Sequence, residues 1–139
     1  MQSEYIRLFQ IGGRRGPPCP LHEGFYTRDR SQTLQKLIRF YNYFGFRVTE
    51  CVMPDHLPVE LEFMSELAAG GAADDLSGLR AQRDFLRGHL AWAEDLARRV
   101  AMARPHPFYR SLTAVLSRLV AADQQFIRSA LGDQYDGPS

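Results

Sequence analysis

The chain has 139 residues, which is enough for one domain with its own hydrophobic core and too few for two. Hydrophobic residues make up 45% and charged residues 24%, so a wholly disordered chain is excluded. The formal net charge of +1 gives no electrostatic reason to expect nucleic acid as a partner.

The sequence carries no pattern for membrane insertion or export. No apolar run approaches the ~20 residues that cross a bilayer. Residues 1–10 include Glu4 and Arg7 and do not have the layout of a signal peptide. We therefore expect a cytoplasmic protein without direct membrane insertion. Cys19 and Cys51 form no CxxC motif, which favours two reduced thiols over a redox or metal role.

The first third of the chain contains one clear helix. Residues 1–11 form a short apolar piece, and residues 12–20 (GGRRGPPCP) are too rich in glycine and proline for a helix. Apolar side chains at positions i, i+3, i+4 and i+7 then predict a helix from about 31 to 44, with Asp29 or Ser31 as its N-cap and a glycine as its stop.

Two further helices are predicted in the middle of the chain. The second runs from about 55 to 69, and Asp55 is its expected N-cap because Pro58 then falls in the first turn, where a missing N–H costs little. The third is the longest, from about 75 to 103. Its core-facing side chains are expected to be Leu79, Phe85, Leu86, Leu90, Ala93, Leu96 and Val100.

A fourth helix is predicted from about 107 to 131, followed by Gly132 as its stop. Its apolar face is expected to contain Leu112, Val115, Leu116, Leu119, Val120, Phe126 and Ile127. Amphipathic helices can bury their apolar stripes only against one another. The predicted fold is therefore an all-α helical bundle, a single domain over residues 1–139 with a frayed tail at about 133–139.

The most unusual segment is residues 53–64 (MPDHLPVELEFM), in which two prolines, an acid and a histidine crowd the start of a helix. Asp55 and His56 have an ordinary structural role open to them, as a helix cap and as a first-turn imidazole. The functional alternative is a binding lip, in which a polar helix entrance lies beside an apolar groove.

Two other groups of side chains allow both a structural and a functional interpretation. His89 and Trp92 share a helix face, so Trp92 is either a core aromatic or an aromatic that anchors a bound peptide. An acidic cluster around the second helix is either a solvated face or a rim that meets arginines of a peptide. Its members are Glu50, Asp55, Glu60, Glu62 and Glu66.

Motifs for catalysis or cofactor binding are not found. The four histidines form no HExxH or HxxxH pair, and the sequence has no GxxxxGK[ST], GxGxxG or GxSxG. We therefore predict no catalytic residues, no metal site, no cofactor and no enzyme activity. The runner-up interpretation is a small helical enzyme such as a metal-dependent hydrolase, and a third is a structural module that oligomerises.

Four sequence blocks occur in an order that is more specific than any one of them. Residues 40–46 read FYxxxGF, residues 53–64 contain PDHLxxELxFM, and residues 107–109 are PFY. Residues 85–92 (FLRGHLAW) are similar to an FxxxHLxxW stretch. Together the blocks resemble the signatures of the TorD/DmsD/NarJ family of molybdoenzyme maturation chaperones, over roughly residues 4–131.

This resemblance implies an all-helical chaperone for the catalytic subunit of a molybdopterin oxidoreductase. Family members bind the N-terminal leader of the apoprotein, often a twin-arginine signal, and assist cofactor insertion and assembly before export. The leader would lie as a helix in a groove between the second helix and the third or fourth. The implied peptide-binding residues, which contact the leader or shape its groove, are Pro54, Asp55, His56, Leu57, Glu60, Phe63, Met64, His89 and Trp92.

The chain departs from the family pattern near its start. Members usually have several helices before an EYxxLF block, whereas here residues 4–9 (EYIRLF) carry that block. We therefore expect a TorD/NarJ-like bundle that lacks the family's first helices, as a fragment or as a short variant. Apolar faces exposed by that loss would favour a homodimer or a domain-swapped dimer.

Overall fold

The computed structural model describes residues 2–12, 16–70, 75–103 and 106–132. These ranges are predominantly helical and contain no β-strand, which confirms the predicted all-α fold. The predicted fraying of residues 133–139 lies outside the described residues.

The described residues form six α-helices. In chain order they are α1 (Gln2–Tyr5), α2 (Arg30–Tyr43), α3 (Leu57–Ala69), α4 (Leu76–Phe85), α5 (Ala93–Met102) and α6 (Pro107–Leu131). Turns of π-helix extend α1 over Ile6–Gln10 and α4 over Leu86–Leu90, and a 3₁₀ turn covers Glu23–Phe25.

Capping side chains explain where two of the helices begin. The Asp29 carboxylate accepts a hydrogen bond from the Gln32 N–H at 3.0 Å, and α2 starts at the next residue. Asp75 does the same for the Gly78 N–H at 2.9 Å at the start of α4. The predicted Asp29 cap is confirmed, and Asp75 is a second cap of the same kind, because a carboxylate accepts from N–H groups that lack a partner within the helix.

The predicted cap of the second helix is wrong. The helix α3 begins at Leu57, its N-cap is His56, and the His56 side chain makes no capping hydrogen bond. The Asp55 carboxylate accepts instead from the backbone N–H of Gly24, 31 residues earlier in the chain. The Asp55 carboxylate therefore bonds to a buried N–H of another segment, although the local sequence assigns it to the start of α3.

The long third helix of the prediction is interrupted. The π turn Leu86–Leu90 and a turn at 91–92 separate α4 from α5. A π turn inserts an extra residue and changes which side chains face the core. Here Phe85, Leu86, His89 and Leu90 are all buried.

The helices α2 to α6 all contribute buried side chains to the core. The helix α6 packs against α4 and α5, and α3 packs against α4. Phe63 of α3 is fully buried at the centre, with its ring centroid 4.7 Å from Phe85, 4.8 Å from Tyr41 and 5.3 Å from Phe46. Such tilted aromatic contacts add to the stabilisation by apolar burial.

The bounds of α6 agree with the prediction, but its apolar residues do not form one buried face. Val120 and Ile127 are buried, and Leu116 packs partly buried against the core. The expectation that the other apolar residues are buried is wrong for Leu112, Val115, Leu119 and Phe126, which are exposed. The helix carries two adjacent apolar stripes, and only one of them faces α4 and α5.

We expect Leu96→Ala to lower the free energy of unfolding by about 2–5 kcal/mol, because Leu96 is fully buried in α5 and its removal leaves a cavity. Urea denaturation followed by circular dichroism measures the change. Leu76→Ala removes the same atoms from a half-exposed position on α4 and should change the free energy much less. Equal losses for the two variants would contradict the described core.

Candidate functional site

Two non-helical segments lie side by side at the start of α3. The Leu57 N–H donates to the Leu21 carbonyl at 2.9 Å, and the Glu23 N–H donates to the Asp55 carbonyl at 3.0 Å. These bonds form an isolated antiparallel bridge centred on His22 and His56. The proline-containing block at residues 53–58 is therefore fixed to a segment that lies about 30 residues away in sequence.

Asp55 is the innermost side chain of this junction and is fully buried. Its Oδ2 atom accepts from the Gly24 N–H at 2.9 Å and lies 3.6 Å from Nε of Arg30. A Cβ atom at Gly24 would lie 2.8 Å from the same carboxylate oxygen and 2.3 Å from Cγ of Arg30. Glycine is thus required for the backbone to approach Asp55 this closely.

A second polar layer lies deeper, between α3 and the π turn. The Nδ1 atom of His89 donates to the Glu23 carboxylate, at 2.9 and 3.1 Å from its two oxygens. The indole N–H of Trp92 donates to Oε1 of Glu60 at 2.8 Å and to the His89 carbonyl at 2.9 Å. All four side chains are buried, so each polar group depends on the others for its partner.

Glu60 is held protonated in this layer. Burial, reinforced by hydrogen bonding and charge repulsion from Glu23, raises the pKa of Glu60 well above its ordinary value of 4.5. The bond from Trp92 acts in the opposite direction and is outweighed. A neutral carboxylic acid is the species that a fully enclosed position without a neighbouring cation favours.

The two histidines of the bridge are closer to the surface. Their ring centroids are 4.7 Å apart, and both side chains are partly buried. Burial lowers the pKa of His22 and of His56, against the opposing attraction of Asp55. Both imidazoles are therefore favoured in the neutral form, which permits their contact without charge repulsion.

An aromatic and cationic layer covers the buried carboxylates on one side. The Tyr26 ring stacks on Trp92 with centroids 5.0 Å apart and an interplanar angle of 30°. The Arg99 guanidinium lies 5.0 Å from the Tyr26 ring centroid. The Tyr26 hydroxyl donates to the Pro20 carbonyl at 2.8 Å, within the segment that precedes α2.

The structure brings most of the sequence-predicted site residues together, but inside the protein. Asp55, Glu60, Phe63 and the other deep members have their side chains in the core or in the polar layers. The buried set is Asp55, Leu57, Glu60, Phe63, Met64, His89 and Trp92, and the two partly exposed residues are Pro54 and His56.

An open concave surface lies next to Pro54. We call it the loop cavity; it has a volume of about 470 Å³ and is formed by the end of α2 and the loop that follows. Ile38, Val52 and Met53 expose 40–43% of their surface there. The lining residues are Ile38, Tyr41, Asn42, Phe46, Arg47, Val48, Thr49, Glu50, Val52, Met53 and Pro54.

Two parts of this arrangement were missed from sequence. Glu23 and Gly24 carry no motif, and only their contacts with His89 and Asp55 reveal their role. The loop at residues 46–53 has apolar side chains without helical period, which is a weak sign of a surface that binds something. The Tyr41 hydroxyl donates to the Pro54 carbonyl at 2.7 Å and connects the cavity wall to the proline-containing block.

Two other classes of site were sought among the described residues. No group of three or more His, Cys, Asp and Glu side chains is placed to hold a metal ion in this part of the chain. None of the helices described above combines the length and the apolar character needed to cross a membrane.

A protein-family model described as nitrate reductase delta subunit matches residues 1–98. The chain belongs to this family. Two relatives are 35% identical to it over 145 residues, which cover 96% of this chain and 72% of each relative. They are the selenate reductase assembly chaperone protein of Thauera selenatis and the chlorate reductase assembly chaperone protein of Ideonella dechloratans.

A third relative matches a shorter stretch. It is the nitrate reductase molybdenum cofactor assembly chaperone NarJ of Escherichia coli strain K12, 30% identical over 78 residues, which are 56% of this chain and 33% of NarJ. No solved structure matches the chain. The predicted TorD/DmsD/NarJ relationship is confirmed, and the protein is an assembly chaperone and not an enzyme. The hydrolase alternative has no support from these relatives.

We expect Glu60→Gln to change how stability depends on pH. Because the pKa of Glu60 is raised on folding, the folded chain binds more protons than the unfolded chain above pH 4.5, and its free energy of unfolding falls as pH rises. The Gln variant lacks this loss. Its stability relative to the parent should therefore rise between about pH 5 and pH 8, by at most about 1.4 kcal/mol per pH unit.

Urea denaturation at several pH values measures this difference. Glu62→Gln, at an exposed position two residues further along α3, is the matched control and should give a difference that does not vary with pH. A pH-independent difference for Glu60→Gln would mean that Glu60 is ionised in the folded protein.

Proposed function

We propose that this assembly chaperone acts in the cytoplasm on the catalytic subunit of a molybdopterin oxidoreductase. It binds the N-terminal leader of the apoprotein and assists cofactor insertion and assembly before export. The observation that carries the proposal is the set of relatives, which are named as assembly chaperones of selenate reductase and chlorate reductase and as a molybdenum cofactor assembly chaperone.

The loop cavity is the surface on which we place the leader. A leader combines arginines with an apolar stretch, and the exposed Ile38, Val52 and Met53 offer apolar surface that such a stretch can cover. Each Å² of apolar surface removed from water contributes about 25 cal/mol before the cost of ordering the peptide. Met53 suits varied partners because its unbranched side chain adapts its shape.

The nine residues that the resemblance implied as peptide-binding take different parts in this proposal. Pro54 lines the loop cavity and would contact the leader, and His56 is the other member with exposed surface. The remaining seven shape the groove from within, because they hold the segment that precedes α2, the helix α3 and the π turn in place. In this proposal only side chains that are exposed to solvent contact the leader directly.

Negative charge at the rim of the loop cavity complements the positive charge of the arginines in a leader. Glu50 lines the cavity and is exposed, so its carboxylate can accept hydrogen bonds from a guanidinium. Asp55 and Glu60, which belong to the same acidic cluster in the sequence, are buried and occupied by Gly24 and Trp92. The acidic rim of the proposal is therefore Glu50 and not the whole cluster.

A second copy of the chain is the other partner that we propose. Large apolar side chains on α6 are exposed, and burying them against another molecule would remove them from water. A homodimer is consistent with this surface; an exchange of whole elements is not needed to cover it.

Titration with a synthetic leader tests the proposed site. The probe is a peptide with two arginines followed by an apolar stretch, and the same peptide with both arginines replaced by glutamine is its control. We expect micromolar or tighter binding, and a loss of about tenfold for Met53→Ser, which corresponds to about 1.4 kcal/mol of lost apolar burial. Fluorescence anisotropy measures the affinity.

Met102→Ser is the matched control for this variant. Met102 is exposed on α5, outside the loop cavity, so its replacement should leave the affinity unchanged. Asp55→Ala/His56→Ala should weaken binding together with stability, because Asp55 shapes the groove from inside. Equal affinity of Met53→Ser and the parent protein would remove the loop cavity from the proposal.

A further inference from the structure

The outward side of α6 carries a regular row of apolar side chains that the leader site does not use. We call it the α6 seam. It contains Phe108, Leu112, Val115, Leu119, Ala122 and Phe126. Its five large members expose between 47% and 66% of their surface, along the whole helix.

The spacing within the α6 seam alternates strictly between four and three residues. Over this length the row fits the alternating a and d positions of a short coiled coil, in which these side chains face a partner helix. In heptad terms Leu112, Leu119 and Phe126 occupy the a positions, and Phe108, Val115 and Ala122 occupy the d positions.

We propose that the α6 seam pairs with the same seam of a second copy, as a short parallel two-stranded coiled coil. The proposal gives a surface and an orientation to the self-association proposed above, and it does not depend on leader binding. The loop cavity belongs to α2 and its following loop, so a dimer formed through α6 leaves both cavities in place.

Charge complementarity favours the parallel orientation. In a parallel pair a g residue faces the e residue five positions later on the partner helix. Arg118 occupies g and Asp123 occupies the following e position, so two symmetric ion pairs form across the seam. In an antiparallel pair g residues face g residues, and full overlap of the seams brings Arg118 opposite the partner's Arg118.

The packing of α6 within its own chain limits the assembly to two copies. Leucine at a with a branched residue at d would by itself also suit larger assemblies. However, two of the three e positions are covered by the chain's own core, because Tyr109 is buried and Leu116 packs against it, whereas Asp123 at the third is partly exposed. One side of each helix is therefore closed to a third strand.

The length of the α6 seam sets the expected strength of the contact. From residue 108 to 126 it spans about 27 Å at 1.5 Å per residue. This is fewer than three full heptads, so we expect a dimer that dissociates on dilution through the micromolar range. Sedimentation velocity at protein concentrations from about 1 to 100 μM measures the equilibrium directly.

Cysteine cross-linking tests the orientation. In a background with Cys51→Ser, which removes the exposed native thiol, Leu112→Cys places two thiols opposite each other only in the parallel pair. In the antiparallel pair residue 112 faces residue 122, and the two copies of residue 112 lie about 15 Å apart, beyond disulfide reach. We expect Leu112→Cys to cross-link with itself, and a mixture of Leu112→Cys and Ala122→Cys to form no mixed product beyond random collision.

Tyr43→Cys, at a highly exposed position on α2, reports that random background. Cross-linking of the mixed pair without the Leu112→Cys homodimer would overturn the parallel arrangement. A monomer at every concentration would overturn the proposal as a whole and leave the seam to a helix of another protein.

Surface substitutions give an independent test. Leu119→Glu introduces a charge at the centre of the seam and should raise the dissociation constant at least tenfold, whereas Met102→Glu should not change it. Asp123→Arg should weaken the dimer several-fold, and Arg118→Asp combined with Asp123→Arg should restore it. Circular dichroism confirms folding, and each variant should still bind the synthetic leader. A dimer unaffected by all of these substitutions forms elsewhere, and the proposal would be wrong.

Discussion

Three buried carboxyl groups hold together the segment that precedes α2, the start of α3 and the π turn. Asp55 accepts from the Gly24 backbone, Glu23 accepts from His89, and Glu60 accepts from Trp92. A buried carboxyl group without hydrogen bonds costs several kcal/mol, so each of these partners must be in place when the chain is folded. The relative position of the segment that precedes α2, of α3 and of the π turn therefore depends on these bonds.

This requirement changes how the sequence signature of the family is understood in this chain. Asp55 of the proline-containing block and His89 and Trp92 of the later block are buried. They contact other groups inside the protein and not solvent. Their effect on a bound leader is then indirect, through the loop that ends at Pro54. The Tyr41 hydroxyl, which donates to the Pro54 carbonyl, transmits that position to the wall of the loop cavity.

The two apolar stripes of α6 show a similar division. One stripe, with Val120 and Ile127, stabilises the fold by packing against α4 and α5. The other exposes large side chains at coiled-coil spacing, which is energetically unfavourable for an isolated molecule in water. A single helix can therefore belong to the core and present a surface for association, with the leader site on another part of the molecule.

The sequence by itself determined what depends on neighbours along the chain. The helices from Arg30, Leu76 and Pro107 were predictable because Asp29, Asp75 and Gly132 act within one turn of them. The order and spacing of the four sequence blocks were sufficient to identify the family. Only the tertiary structure decided that Asp55 faces Gly24 and that His89 faces Glu23, 66 residues away, and which stripe of α6 is covered. Periodicity shows that a helix face is apolar, but what covers that face, or which distant donor meets a buried carboxylate, is decided only when the elements pack.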